Sequence, residues 1–189
     1  DTYKRFPSDT EFMIDISTKD VYNFRNRNYL LSSLENFNRL ELVNVEECTI
    51  EHILPQNPNL STEWKEMLGS EWKKVQDQYL HTLGNLTLTM YNSSLSDNPF
   101  TKKKSLDGWF DHSPLRLNEF LRTIDVWNEV TIKERAQQLA EKANLIWSSP
   151  DISPETLNKY KTVSKDATEY TIDEYEHLTG GLLELYWAF

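Results

Sequence analysis

Apolar residues recur at helical spacing along most of this chain and switch to alternation in two short stretches. Val21, Phe24, Leu31, Leu34 and Phe37 fall on one face of a helix predicted over about 18–37, with Ser17 and Asp20 as its capping pair. The clearest helix begins at Thr131 with Glu134 as capping partner. There Ile132, Ala136, Leu139, Ala143 and Ile146 make one apolar stripe, and Ser148-Ser149-Pro150 ends it. Ser61 caps a shorter helix closed by Gly69, and Ser70 caps another reaching about Tyr79, with Trp64, Met67, Leu68, Trp72 and Val75 as anchors. Arg116 to Arg122 is a short helical piece. Phe12, Met13, Ile14 and Ile16 form a short strand or a docking segment.

The alternating stretches read as strands. Thr49 to Leu54 is rich in β-branched residues and is closed by Pro55, which cannot continue a ladder. Gly84 to Tyr91 places Leu86 and Leu88 on one face and Thr87 and Thr89 on the other. Asn92-Ser93-Ser94 then starts a helix that runs to about Asp107, interrupted near Asn98-Pro99. The expected fold class is therefore mainly α with a small β-hairpin.

Composition narrows the function. With 38% apolar residues, 12% aromatic residues and five glycines in 189, the chain can bury a real core. Its single cysteine, Cys48, excludes an internal disulfide framework and a zinc site of paired cysteines. Any metal is then held by oxygen and nitrogen, which favours Mg²⁺ or Mn²⁺. The net charge of -10 argues that another domain supplies most of any affinity for phosphates. No apolar run approaches the roughly 20 residues of a membrane span and no signal-peptide pattern opens the chain, so a cytoplasmic protein without membrane contact is expected. The start at Asp1-Thr2 and the end at Ala188-Phe189 suggest a piece of a longer polypeptide. Residues 1–150 read as one domain with its core at about 48–107, and residues 151–189 as a linker and the start of a C-terminal helical accessory segment.

The chemistry concentrates in Thr49 to Gln56 and Gly84 to Asn92. Strand, long loop, strand and helix, with histidine on the first strand and asparagine where the helix starts, is the arrangement of a ββα-metal finger embedded here in a helical scaffold. Phosphodiester hydrolysis needs a base that works at neutral pH, and an imidazole with a pKa of about 6.5 suits it. It also needs a cation against the charge building on the phosphate and leaving oxygen. On this reading His52 is the general base, and one Mg²⁺ lies between Glu51 and Asn92, with Asn98 the alternative to Asn92. Neighbours on a regular strand point to opposite faces, so Glu51 and His52 share a site only if the strand twists or ends there, as Pro55 allows. The Asn85 amide can donate and accept, tying the loop to the strand and holding the His52 backbone. Lys102, in Lys102-Lys103-Lys104, is the candidate phosphate contact.

Each of these residues also has a plain structural explanation. A lone histidine after a strand is most often a satisfied structural one, Asn85 a turn residue, Asn92-Ser93 a cap, Glu51 a solvated charge and the lysine run a solvated helix face. His81 and His112 are assigned no role, and the sequons at Asn85 and Asn92 are short enough to occur by chance.

Glu51-His52-Ile53-Leu54-Pro55-Gln56, then Leu83-Gly84-Asn85-Leu86-Thr87-Leu88, Asn92, Pro99-Phe100 and Lys102, resembles the C-terminal HNH (His-Me finger) nuclease domain of GmrSD/SspE-type modification-dependent restriction enzymes. The likeness spans roughly residues 15 to 147. It implies a His-Asn-Asn catalytic set carried by His52, Asn85 and Asn92, double-stranded DNA as substrate, and modified phage DNA as its target. It further implies an N-terminal nucleotide-hydrolysing regulatory domain outside these residues. The leading expectation is thus a metal-dependent DNA endonuclease of an antiviral restriction system. The alternatives are a catalytically inactive helical protein-interaction module and an RNase of the same fold.

Overall fold

The computed structural model describes residues 6–90, 97–105, 109–149, 152–153 and 155–156. The chain divides into two units, Asp1–Ser148 and Ser149–Phe189. In the second, Ser153 accepts the Thr156 N–H at 3.2 Å, the cap of a helical turn. The accessory helix expected from Thr171 lies outside the described residues.

Within the first unit the first helix begins ahead of the apolar run. The Ser8 hydroxyl accepts the Glu11 N–H and the Glu11 carboxylate accepts the Ser8 N–H, a capping box that starts helix α1 (Asp9–Thr18). Phe12 to Ile16, read as a short strand or a docking segment, are therefore helical, and α1 buries Ile16. The single helix expected over 18–37 is broken. Ser17 turns its hydroxyl back to the Ile14 carbonyl, and Asp20 accepts from Asn23 instead of starting a helix. Asp20 also bridges Thr82, while Val21 and Tyr22 donate their N–H groups to the His81 carbonyl. Those long-range bonds tie 20–22 to the His81–Thr82 segment, the chain turns at Tyr22–Asn23, and helix α2 (Arg27–Asn36) follows.

Strands β1 (Thr49–His52) and β2 (Leu86–Thr89) pair antiparallel, with Thr49 opposite Thr89, Ile50 opposite Leu88, Glu51 opposite Thr87 and His52 opposite Leu86. Directly opposed residues share a face, so the pair has two distinct sides. One carries Ile50, Leu88, Leu86 and His52. The other carries Glu51 and Thr87, and the Thr87 hydroxyl donates to the Asn118 Oδ1 at 2.6 Å.

Between the strands lie helix α3 (Thr62–Leu68), capped by Ser61 and closed by Gly69 at φ 83°, and helix α4 (Trp72–Tyr79). The position before α4 belongs to Glu71 and carries no side-chain cap, so Ser70 does not play the part expected of it. The Gln76 amide on α4 donates to the Pro55 and Asn57 carbonyls, both at 2.9 Å, and pins the loop after β1. Beyond β2 come helices α5 (Phe100–Ser105) and α6 (Glu119–Arg122), the latter preceded by a 3₁₀ turn at Arg116–Asn118.

Helix α7 (Glu129–Ile146) is capped by Asn128, whose reciprocal partner is Thr131; the helix thus starts two residues ahead of the predicted Thr131. It buries the predicted stripe at Ile132, Ala136, Leu139 and Ala143. Its buried Arg135 donates to the carbonyls of Leu83, Gly84 and Leu86 at 3.2, 2.7 and 2.9 Å, and to that of Leu117 at 3.0 Å. A Cβ on Gly84 would stand 2.5 Å from the Ile132 carbonyl oxygen, so only glycine lets the turn into β2 approach α7 this closely.

Two apolar clusters result. One joins α1, α2, β2 and α7 through Ile16, Leu30, Leu31, Leu34, Leu86, Leu88 and Leu139. The other gathers Ile53, Leu54, Trp64, Phe100, Trp127 and Ile132. The chain passes from the first to the second immediately after His52. The architecture is mainly α with a two-stranded hairpin, and no helix among the described residues is long and apolar enough to cross a membrane.

Candidate active site at the end of the hairpin

His52 is the last residue of β1 and only 4% exposed. Both ring nitrogens have partners: Nε2 lies 3.1 Å from the His81 Nδ1, and Nδ1 lies 2.9 Å from the Gln56 Nε2. The Tyr22 ring meets His52 edge-on at 4.5 Å and stacks on His81 at 5.2 Å. Burial, reinforced by His81 and Lys103, draws the His52 pKa down to about 3, against the opposing pull of Asp20. The ring is therefore neutral at physiological pH. A neutral imidazole holds one proton and one lone pair, so it can accept a proton, but with a pKa this far below 6.5 it is a weak base for as long as it stays buried.

The chain just beyond His52 is fixed by Asn85. Its Oδ1 accepts the Leu54 N–H at 2.7 Å and the Trp127 indole N–H at 3.1 Å, while its Nδ2 donates to the carbonyls of Leu54 and Leu80. The Asn85 carbonyl also accepts the Ile53 N–H, adding a rung past the formal end of the strand. Every amide hydrogen-bonding direction is thus committed to this turn, and the residue is fully buried. Asn85 acts here through the backbone on which His52 sits rather than by facing the imidazole.

Glu51 lies on the opposite side of β1 from His52. Its Oε1 accepts from the Lys103 Nζ at 2.5 Å, and the same ammonium donates to the His52 and Ile53 carbonyls at 3.0 and 3.2 Å. The pair is buried, which pushes the Glu51 carboxyl up and the Lys103 amine down, while their mutual attraction opposes both shifts. The paired register continues through His52, so strand alternation holds to the last residue and Pro55 comes too late to turn Glu51 toward the imidazole. Lys102, on the same helix, is exposed. Asn98 gives its carbonyl to the Trp64 indole N–H at 3.2 Å. Asn92 lies outside the described residues.

The family profile described as "GmrSD restriction endonucleases, C-terminal domain" matches residues 6–142, well over half of the chain and including every described residue of this site. The chain belongs to that family. It is accordingly a domain of the restriction-endonuclease kind. No curated protein and no solved structure gives a significant match.

In this GmrSD C-terminal domain only one of the two donors expected for Mg²⁺, Glu51, lies among the described residues; Asn92 does not. No three histidine, cysteine or acidic side chains there converge on a point, and the Glu51 carboxylate is already taken by Lys103. The residues that do converge on His52 went without a role in the sequence reading: His81, Tyr22 and Gln56. His81 follows a helix as an isolated imidazole, and its partner is 29 positions away, so local pattern cannot pair the two. The available signal was its place directly before the Leu83–Leu88 stretch, which returns the chain alongside β1.

Proposed function

We propose that this domain cleaves phosphodiester bonds in DNA, with the neutral His52 imidazole as general base. The observation that carries the proposal is the state of that ring: buried, uncharged, held by a partner on each nitrogen, and mounted on a turn that Asn85 ties to Trp127 and Leu80. Of its two partners, Gln56 is the exposed one and leaves most easily. With its amide displaced, a water molecule hydrogen-bonds to Nδ1 and gives its proton to that nitrogen while its oxygen attacks phosphorus. The bond from phosphorus to the 3′ oxygen breaks in line, and the departing oxygen takes a proton from solvent. The ring then returns its proton to solvent.

Double-stranded DNA is the proposed substrate, modified phage DNA the proposed target, and the cytoplasm the proposed compartment. With a net charge of -10, the domain depends on a partner region for most of its hold on DNA, and a nucleotide-hydrolysing regulatory domain fits that need. Lys102 is proposed as a local phosphate contact. Mg²⁺ or Mn²⁺ is proposed as the cofactor, with Asn92 as a ligand; bound, it would offset the charge building on the phosphate and the leaving oxygen.

The test is nicking of supercoiled plasmid by the purified protein with Mg²⁺ or Mn²⁺. His52→Ala is expected to lower the rate about 10²- to 10⁴-fold, the usual contribution of a positioned base, with the fold intact by circular dichroism. Undiminished cleavage by His52→Ala overturns the assignment. The commitment of Glu51 to Lys103 favours one rival reading, an inactive interaction module that keeps the motif for its fold. That reading is established if the wild-type protein, carrying its regulatory domain, cuts neither DNA nor RNA with either metal.

A further inference from the structure

We infer that His81 is a positioning residue for this site: its Nδ1 lone pair accepts the His52 Nε2–H and thereby fixes the tautomer that leaves the basic lone pair of His52 at Nδ1. This rests on the reading of His52 as the base.

Donor counting gives the direction of the bond. The Gln56 Nε2 is an amide nitrogen and can only donate, so the His52 Nδ1, 2.9 Å away, accepts. The proton of the neutral ring is then on Nε2, 3.1 Å from the His81 Nδ1, which in turn accepts. The other tautomer would set the His52 Nδ1–H against the Gln56 N–H, two donors face to face in a part-buried contact that Gln56 would have to abandon. It would also remove the lone pair from the side that Gln56 uncovers.

His81 is itself held on several sides. Its carbonyl receives the N–H groups of Val21 and Tyr22 at 2.9 and 3.1 Å, and its ring lies nearly parallel to Tyr22, 15° between planes. The same tyrosine ring meets His52 edge-on, so one aromatic side chain braces both imidazoles. The Arg27 guanidinium covers the Tyr22 ring at 4.8 Å and donates to the Tyr22 carbonyl. The segment between α1 and α2 therefore serves as a backing plate for the pair. When His52 accepts a proton at Nδ1, its Nε2–H keeps a neutral acceptor in place. Asp20, which precedes Val21 and Tyr22, adds a negative charge that favours the cationic ring.

The first measurement needs no variant. In ¹⁵N-labelled wild-type protein without DNA at neutral pH, long-range ¹H–¹⁵N spectra should show His52 protonated at Nε2 only, with a scalar coupling across the hydrogen bond to the His81 Nδ1. Protonation at Nδ1, or absence of that coupling, overturns the inference whatever the activity. The second compares His81→Asn, which keeps an acceptor oxygen near the lost Nδ1, with His81→Phe, which does not. His81→Phe should mix the His52 tautomers and lower kcat ~10- to 100-fold, as loss of an orienting partner of a functional imidazole does. KM for plasmid should stay unchanged and His81→Asn should recover most of kcat. An unchanged tautomer and kcat in His81→Phe, alongside an inactive His52→Ala, rejects His81 and leaves the base assigned. An active His52→Ala rejects the base, while the spectra still decide the hydrogen bond.

Discussion

Glu51 and His52 are neighbours in sequence and almost equally buried, yet the protein uses them in opposite ways. Glu51 faces a lysine whose remaining hydrogen bonds go to the His52 and Ile53 carbonyls, so all three ammonium donors are taken by the protein itself. His52 faces a second imidazole and the exposed side chain of Gln56, a partner that can be replaced. The carboxylate side secures the backbone, and the imidazole side keeps an exposed partner that can leave. A carboxylate next to a histidine in the chain is thus no guide to the same pairing in space while the strand stays regular.

Breaking the Glu51 side should produce the largest effect. Lys103→Met strands a buried carboxylate and two backbone carbonyls, and urea unfolding should show a loss of about 3–5 kcal/mol. A loss near zero would mean that Glu51 reaches solvent and that the two sides do not differ as described. Asn85→Ala attacks the turn on which both sides depend. It leaves the Leu54 N–H and the Trp127 indole N–H without their acceptor, so a loss of about 2–3 kcal/mol is expected, with a fall in any cleavage rate because His52 shifts with its turn.

Acid titration reads the His52 side alone. The folded pKa of about 3 lies below the unfolded value of 6.5, so the unfolded chain binds the extra proton and stability falls as pH drops through the window from 6.5 to 3. The steepest contribution is about 1.4 kcal/mol per pH unit. His52→Ala should lack that contribution, and identical acid limbs for the two proteins would show that the imidazole is not buried in neutral form. The smallest effect belongs to Lys102→Ala. Being exposed, it should change stability by less than about 0.5 kcal/mol, while the slope of log affinity for DNA against log salt should drop by about 1. An unchanged slope removes Lys102 as a phosphate contact.

Much of the architecture was legible because it rests on local rules. The threonine and leucine alternation in β2, the apolar stripe of α7, and the Ser61 and Gly69 bounds of α3 all appear where the pattern places them. The first 40 residues were less legible. The Ser8 and Glu11 pair is a capping box, but a second candidate at Ser17 and Asp20 competes with it. The choice is made by the bonds from Val21 and Tyr22 to the His81 carbonyl, sixty residues along the chain. The importance of the His52 neighbourhood was legible from its motif; its composition was not. His81, Tyr22 and Gln56 reach the imidazole through tertiary contacts, and the Glu51 side depends on Lys103, one of three successive lysines that only the phase of α5 distinguishes.

The close seating of Gly84 beneath α7 has a consequence for the order of assembly. The turn that carries Asn85 is moulded against the Ile132 carbonyl and gripped by Arg135, both synthesised well after the motif itself. On the ribosome, a nascent chain that already holds His52 and Asn85 still lacks the surface that shapes them. If the domain cleaves DNA as proposed, that activity waits until α7 has emerged and docked.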